Sequence, residues 1–164
     1  MALIESAAGA GLRWFKRSIE RRYGDERDQW DEDARLQIGF GLSHHQVLDA
    51  PDDGDSASYH IELRVELELA DQDITAELSC AVQFRFVDVS APGRKEIEEF
   101  LRDHALEYVL GFVRAAVADQ TRLIGMPTAM LPIRTPSWDE VLPMLFDDDA
   151  EASDDAPPAG IASV

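Results

Sequence analysis

Four groups of residues in this 164-residue chain have the types that do chemistry. His44 and His45 stand together near acids and could offer a metal two imidazoles, but neighbours in a strand point to opposite faces, so an exposed strand end is the reading. Asp49, Asp53 and Gly54 have part of a calcium loop. Pro51 takes one ligand position there and His60 stands where the bidentate glutamate belongs, which excludes calcium. Cys80 lies in the middle of an alternating apolar run, where a thiol is a small hydrophobe with a raised pKa. Glu62, Glu66 and Glu68 share one strand face, a pattern suited to acid–base work or metal binding. With Arg64 among them, they read as a solvated or interface-forming sheet face. There is no glycine-rich phosphate loop, no HExxH, no nucleophile elbow and no pairing of Ser or Cys with His and an acid. The chain is therefore expected not to be an enzyme, with no cofactor and no metal.

What remains is recognition. Met126, Met130, Trp138, Met144 and Phe146 place methionine and aromatic surface around the end of a long helix and the crossover that follows it. Methionine adapts its shape to varied partners. The alternative is a crossover that only closes a core.

The elements that would position this surface follow from periodicity. From Lys95 to Met126, Ile97, Leu101, Ala105, Tyr108, Phe112 and Ala116 recur every three or four residues, and Val109, Val113, Val117 and Leu123 widen the face. This predicts one long amphipathic helix, with Glu96, Glu98 and Glu99 at its start, Gly125 as its cap and Pro127 beyond. Upstream the period is two. Leu36, Ile38, Phe40 and Leu42 predict one strand; Tyr59 through Leu69 predict a second; Ile74 through Phe86 predict a third, joined by a reversal at Asp71 to Asp73. Ser137 to Glu140 matches a capping box opening a short helix with Val141, Leu142 and Leu145, despite Pro143.

At the start, Met1 to Tyr23 spaces Ile4, Ala8, Leu12, Phe15 and Ile19 as one helical face, with Arg13, Lys16, Arg17, Arg21 and Arg22 around it. The expectation is a basic helix that packs on its own acidic body or docks a membrane surface or partner. Asp25 to Asp33 reads as a charged linker, and Asp147 to Val164 as an acidic disordered tail. With 33 acidic against 15 basic residues the formal net charge is −18, which repels phosphate backbones and favours basic partners over nucleic acid. One cysteine, no signal-peptide pattern and no long apolar run lead to a cytoplasmic expectation.

From Tyr59 to Asp139 the chain resembles the SecB-type export chaperones and the SecB-like chaperones of toxin–antitoxin systems. Tyr59-x-x-x-Leu63-Arg64-Val65 is similar to the family's third strand, and Cys80-Ala81-Val82-Gln83 to the Cys-Glu-Val-Gln of its fourth. Phe112-Val113-Arg114 resembles its Tyr-Ala-Arg, Gly125-Met126-Pro127 its helix-ending Gly-Phe-Pro, and Pro136-Ser137-Trp138-Asp139 the opening of its short last helix. The resemblance implies a four-stranded antiparallel sheet with a long and a short helix, dimers pairing into a tetramer, grooves that hold unfolded chains, and an acidic surface docking an export motor. Two features depart from it. The family's first strand with its Phe-Glu-x-Pro end is absent, and Ala81 replaces a glutamate used toward the motor.

The resulting expectation is an α+β fold, a SecB-like antiparallel β-sheet meander covered by one long helix and a short C-terminal helix. Residues 1–34 form a basic helix and linker, 35–146 the SecB-like domain and 147–164 the tail. The function expected is an ATP-independent holdase for unfolded or non-native polypeptides, serving export or a dedicated client such as an antitoxin, as a dimer or tetramer. Its client-binding residues are Phe84, Phe86, Met126, Met130, Leu131, Ile133, Trp138 and Leu142. The rival readings are an acidic DNA mimic that inhibits a nucleic-acid-binding protein, and a structural assembly subunit.

Overall fold

Strict alternation of apolar and polar residues leaves a strand only one way to face a core, and that constraint sets the sheet here. The computed structural model describes residues 3–21, 35–48, 57–71, 74–89, 91–126, 138–147 and 161–163. Strands β1 (Ala7–Arg21), β2 (Arg35–Leu48), β3 (Ala57–Ala70), β4 (Ile74–Val87) and β5 (Ile161–Ser163) form one sheet in the order β1-β4-β3-β2-β5. Every pairing is antiparallel.

The β2–β3–β4 meander keeps its register throughout. Phe40 lies opposite Val65 and Val65 opposite Cys80; Leu42, Leu63 and Val82 form the next row, and Ile38, Leu67 and Leu78 the one on the other side. All but the half-buried Leu42 are buried, with Leu63, Cys80 and Val82 fully enclosed. Between β3 and β4 the Asp71 N–H donates to the Ile74 carbonyl at 2.9 Å and closes the reversal.

Residues Ala7–Arg21 are a strand, not the basic helix that their spacing predicts. They pair along their length with β4, with register shifts between Ala7 and Gly9 and between Trp14 and Lys16. Before the second shift Ala10, Leu12 and Trp14 stand opposite Phe84, Val82 and Cys80; after it Arg17, Ile19 and Arg21 stand opposite Leu78, Ala76 and Ile74. The inserted residue, Phe15, moves the core-facing positions from even to odd numbers. That change of parity puts Leu12 and Ile19 on the same side of the strand seven residues apart, a separation that also fits two turns of a helix. The segment is thus part of the sheet, not a region separate from residues 35–146, and it supplies a first strand without the sequence signature of one. As a strand it lacks the helical face on which membrane docking was expected. Residues 22–34, with Trp30, lie outside the described residues. In the tail, expected to be disordered, Ile161–Ser163 is a strand on β2.

The long helix is α1 (Arg94–Phe100), a π-helical turn (Leu101–Ala105) and α2 (Leu106–Leu123), with right-handed backbone at the junctions. The Gly93 N–H donates to the Glu96 carboxylate at 2.9 Å and caps its start. At its end Gly125 has φ +72°; its N–H reaches the Arg122 carbonyl at 3.1 Å and the Met126 N–H that of Thr121 at 3.0 Å, a Schellman cap. Ile97, Phe100, Leu101, Ala105, Val109, Val113 and Val117 are buried in one core cluster with the sheet. A last helix, α3 (Trp138–Asp147), packs on β2 and buries Val141, Leu142, Leu145 and Phe146. No helix among the described residues is long and apolar enough to cross a membrane.

A Cβ at Gly125 would meet nothing within 4 Å, so only backbone strain opposes one. Gly125→Ala is expected to lower stability by about 1–2 kcal/mol, the cost of a left-handed L-residue, read from the urea midpoint.

Candidate functional site

Where β1 begins, the chain reads Ala7-Ala8-Gly9-Ala10, side chains too small to fill the space between strand and helix. A Cβ on Gly9 would meet nothing within 4 Å, so the strand leaves an opening there. The facing wall is formed by Phe100, His104 and Tyr108, part of an aromatic stripe along the helix at steps of four that continues past the wall to Phe112. The ring centroids of Phe100 and His104 lie 6.0 Å apart, and those of Tyr108 and Phe112 5.3 Å. Phe84 makes the floor, edge-on to Phe100 at 5.1 Å and to Tyr108 at 5.7 Å. Together with Ile4, these residues enclose an open groove of about 320 Å³. Tyr108 is 47% and Ile4 38% exposed, so apolar surface stands ready at its mouth.

The groove can bury apolar side chains of a visitor, and His104 and Tyr108 are the titratable side chains that line it. Among the described residues no three histidine, cysteine or acidic side chains gather to hold a metal. His44 and His45 do face opposite sides. The His44 Nδ1 lies 2.6 Å from the Tyr59 hydroxyl, while the ring of His45 faces that of His60 across the strands at 5.4 Å. Cys80 has no exposed surface, and burial pushes its thiol up to about 11.

On the other face of the sheet the basic strand meets acidic neighbours. Arg13 pairs with Glu62 and Lys16 with Glu77, whose hydrogen bond and charge hold the Lys16 ammonium above its usual range. Phe15, 53% exposed, has the guanidinium groups of Arg13 at 5.9 Å and Arg64 at 5.0 Å from its ring centroid. Glu62 is thus engaged in a surface ion pair.

Of the client-binding residues named from sequence, Phe84 lines the groove. Phe86 has no exposed surface and supports Phe100 from behind at 5.0 Å. Met126 is buried at the helix cap and Leu142 on α3. Trp138 opens α3; Met130, Leu131 and Ile133 lie outside the described residues. Sequence reasoning missed Phe100, His104 and the Ala7–Ala10 run as groove walls. The four-residue aromatic spacing was a readable signal for the former.

These placements separate scaffold from surface. Phe86→Ala should cost about 3–5 kcal/mol in urea unfolding, as expected for a buried aromatic, whereas Tyr108→Ala should cost less than half of that. Cys80 should resist a disulfide reagent at pH 8 until denaturant is added. Because the folded thiol binds its proton more tightly than the unfolded one, its contribution to stability is intact below pH about 9 and is lost as the pH rises toward 11. Cys80→Ser should flatten that decline in alkaline unfolding curves.

No family model matches the chain, and no curated protein matches it in sequence. Among solved structures it is similar to the Mycobacterium tuberculosis SecB-like chaperone Rv1957, determined in complex with a ChAD peptide from the Rv1956 HigA1 antitoxin. The TM-score is 0.50 at 18% identity, over 80% of this chain and 93% of that one. At this identity the likeness establishes architecture: the chain has a SecB-like α+β fold.

Proposed function

We propose that the chain is an ATP-independent holdase that binds extended, non-native polypeptide segments. The observation that carries this reading is the open aromatic groove of Phe84, Phe100 and Tyr108, which can take apolar side chains. A SecB-like fold supports it, since the similar structure holds an antitoxin peptide, and an antitoxin-type segment is accordingly a fitting client. Met130, Leu131, Ile133 and Trp138 belong to the proposed client-binding set through their residue types, with Phe86, Met126 and Leu142 as its buried members. Burial of apolar area by adaptable side chains gives affinity without demanding one sequence. Self-association as a dimer or tetramer belongs to the same proposal, because β1 has no strand on its outer edge among the described residues. Export and cytoplasmic residence are further parts of it.

The DNA-mimic reading needs free carboxylates at phosphate spacing. On the sheet, Glu62 and Glu77 are instead neutralised by Arg13 and Lys16.

The test is fluorescence anisotropy with labelled, reduced and alkylated α-lactalbumin, its folded form and duplex DNA as competitors. Binding of the unfolded form alone is expected, weakened at least tenfold by Met130→Asp with Trp138→Asp and by Tyr108→Asp. Unchanged affinity in all of these folded variants would refute the site, and no binding by the parent chain would refute the function.

A further inference from the structure

Among the described residues, one edge of the meander, that of β2, carries a short strand from elsewhere in the chain. Ile161–Ser163 lies antiparallel on the outer edge of β2, with Ser163 opposite Gln37, Ala162 opposite Ile38 and Ile161 opposite Gly39. This pairing shows that the β2 edge accepts an added strand. From Phe40 to Leu48 the same edge carries no strand among the described residues. A longer segment entering in the same register could therefore extend the ladder where the resident stops. Gly39 and Gly41 lack side chains along this edge, which lets another backbone approach closely. Positions opposite Ile38, Phe40 and Leu42 would fall on the core face, on the strand against which α3 packs.

We infer that Ile161–Ser163 is an intramolecular placeholder on a strand-addition site at β2, and that an extended client segment binds there by displacing it. The inference rests on the holdase reading and adds its regulation. The resident is tethered to α3 through thirteen residues, 148–160, rich in Asp, Ala and Pro. Because the resident belongs to the same chain, its pairing is intramolecular, so even a weakly held three-residue strand competes with a client in solution. A client that pairs over more of β2 gains ladder contacts that the resident lacks, which makes the exchange selective for long extended segments over short ones.

Two full-length variants bracket the competition. Ile161→Pro with Ala162→Pro removes consecutive ladder donors, so it weakens the resident whichever residue carries the hydrogen-bonded pair. Gln37→Cys with Ser163→Cys joins directly opposed residues, whose separation suits a disulfide, while buried Cys80 stays out of the oxidation. Anisotropy with the labelled, alkylated α-lactalbumin is expected to show at least about threefold tighter binding by the proline variant. The oxidised variant should bind at least about threefold more weakly than the parent, with recovery on adding dithiothreitol. Equal binding by parent, proline and oxidised forms would overturn the placeholder and leave the holdase reading standing. No binding by any form, the proline variant included, would overturn both.

Discussion

The register of the meander is the constraint on which the rest of the molecule depends. Because Phe40, Val65 and Cys80 stand in one row and Leu42, Leu63 and Val82 in the next, one continuous apolar face is available to the long helix. A slip of one residue would send all of it to solvent and bring Glu62, Glu66 and Glu68 beneath Val109 and Val113. Each strand alternates cleanly enough that no such slip competes. The position of the helix, of its aromatic stripe and hence of the groove follows from that one choice.

Charge is arranged by the same sheet. The chain concentrates its basic residues near the start of an otherwise acidic sequence, and the fold lays Arg13 and Lys16 beside Glu62 and Glu77. Exposed pairs of this kind add little stability each. Their arrangement does lower repulsion where a strand of the opposite sign is added, and it explains why the basic segment belongs on this acidic body. Phe15 emerges on the same face, in contact with two guanidinium groups instead of in the core.

Much of this was legible in residue order. Period two from Leu36 to Phe86, the long amphipathic stretch with Gly125 at its end and the capping box before α3 each specify an element locally. β1 was illegible because its inserted residues break the parity on which strand recognition relies; Leu12 and Ile19 face one core from positions that no simple alternation connects. Ile161–Ser163 was illegible for a different reason. Three residues have no period, and their strand exists only because β2 offers an edge. The groove falls between these cases. Phe84 was visible as an alternating aromatic, but its walls depend on small residues of β1 lying opposite the helix, a juxtaposition made by the tertiary fold alone.

The π-helical turn at Leu101–Ala105 acts on the helix as a phase correction acts on a thread. Residues facing the sheet recur at 97, 101, 105, 109, 113 and 117, a step longer than the 3.6 residues of a regular turn, so an unbroken α-helix would carry its later contacts progressively around its axis. One wider turn takes up part of that drift between Phe100 and Leu106. The two halves of the helix are thereby clocked independently. Phe100 can serve both the core beneath and the groove beside it, while α2 keeps its own seating on β3 and β4.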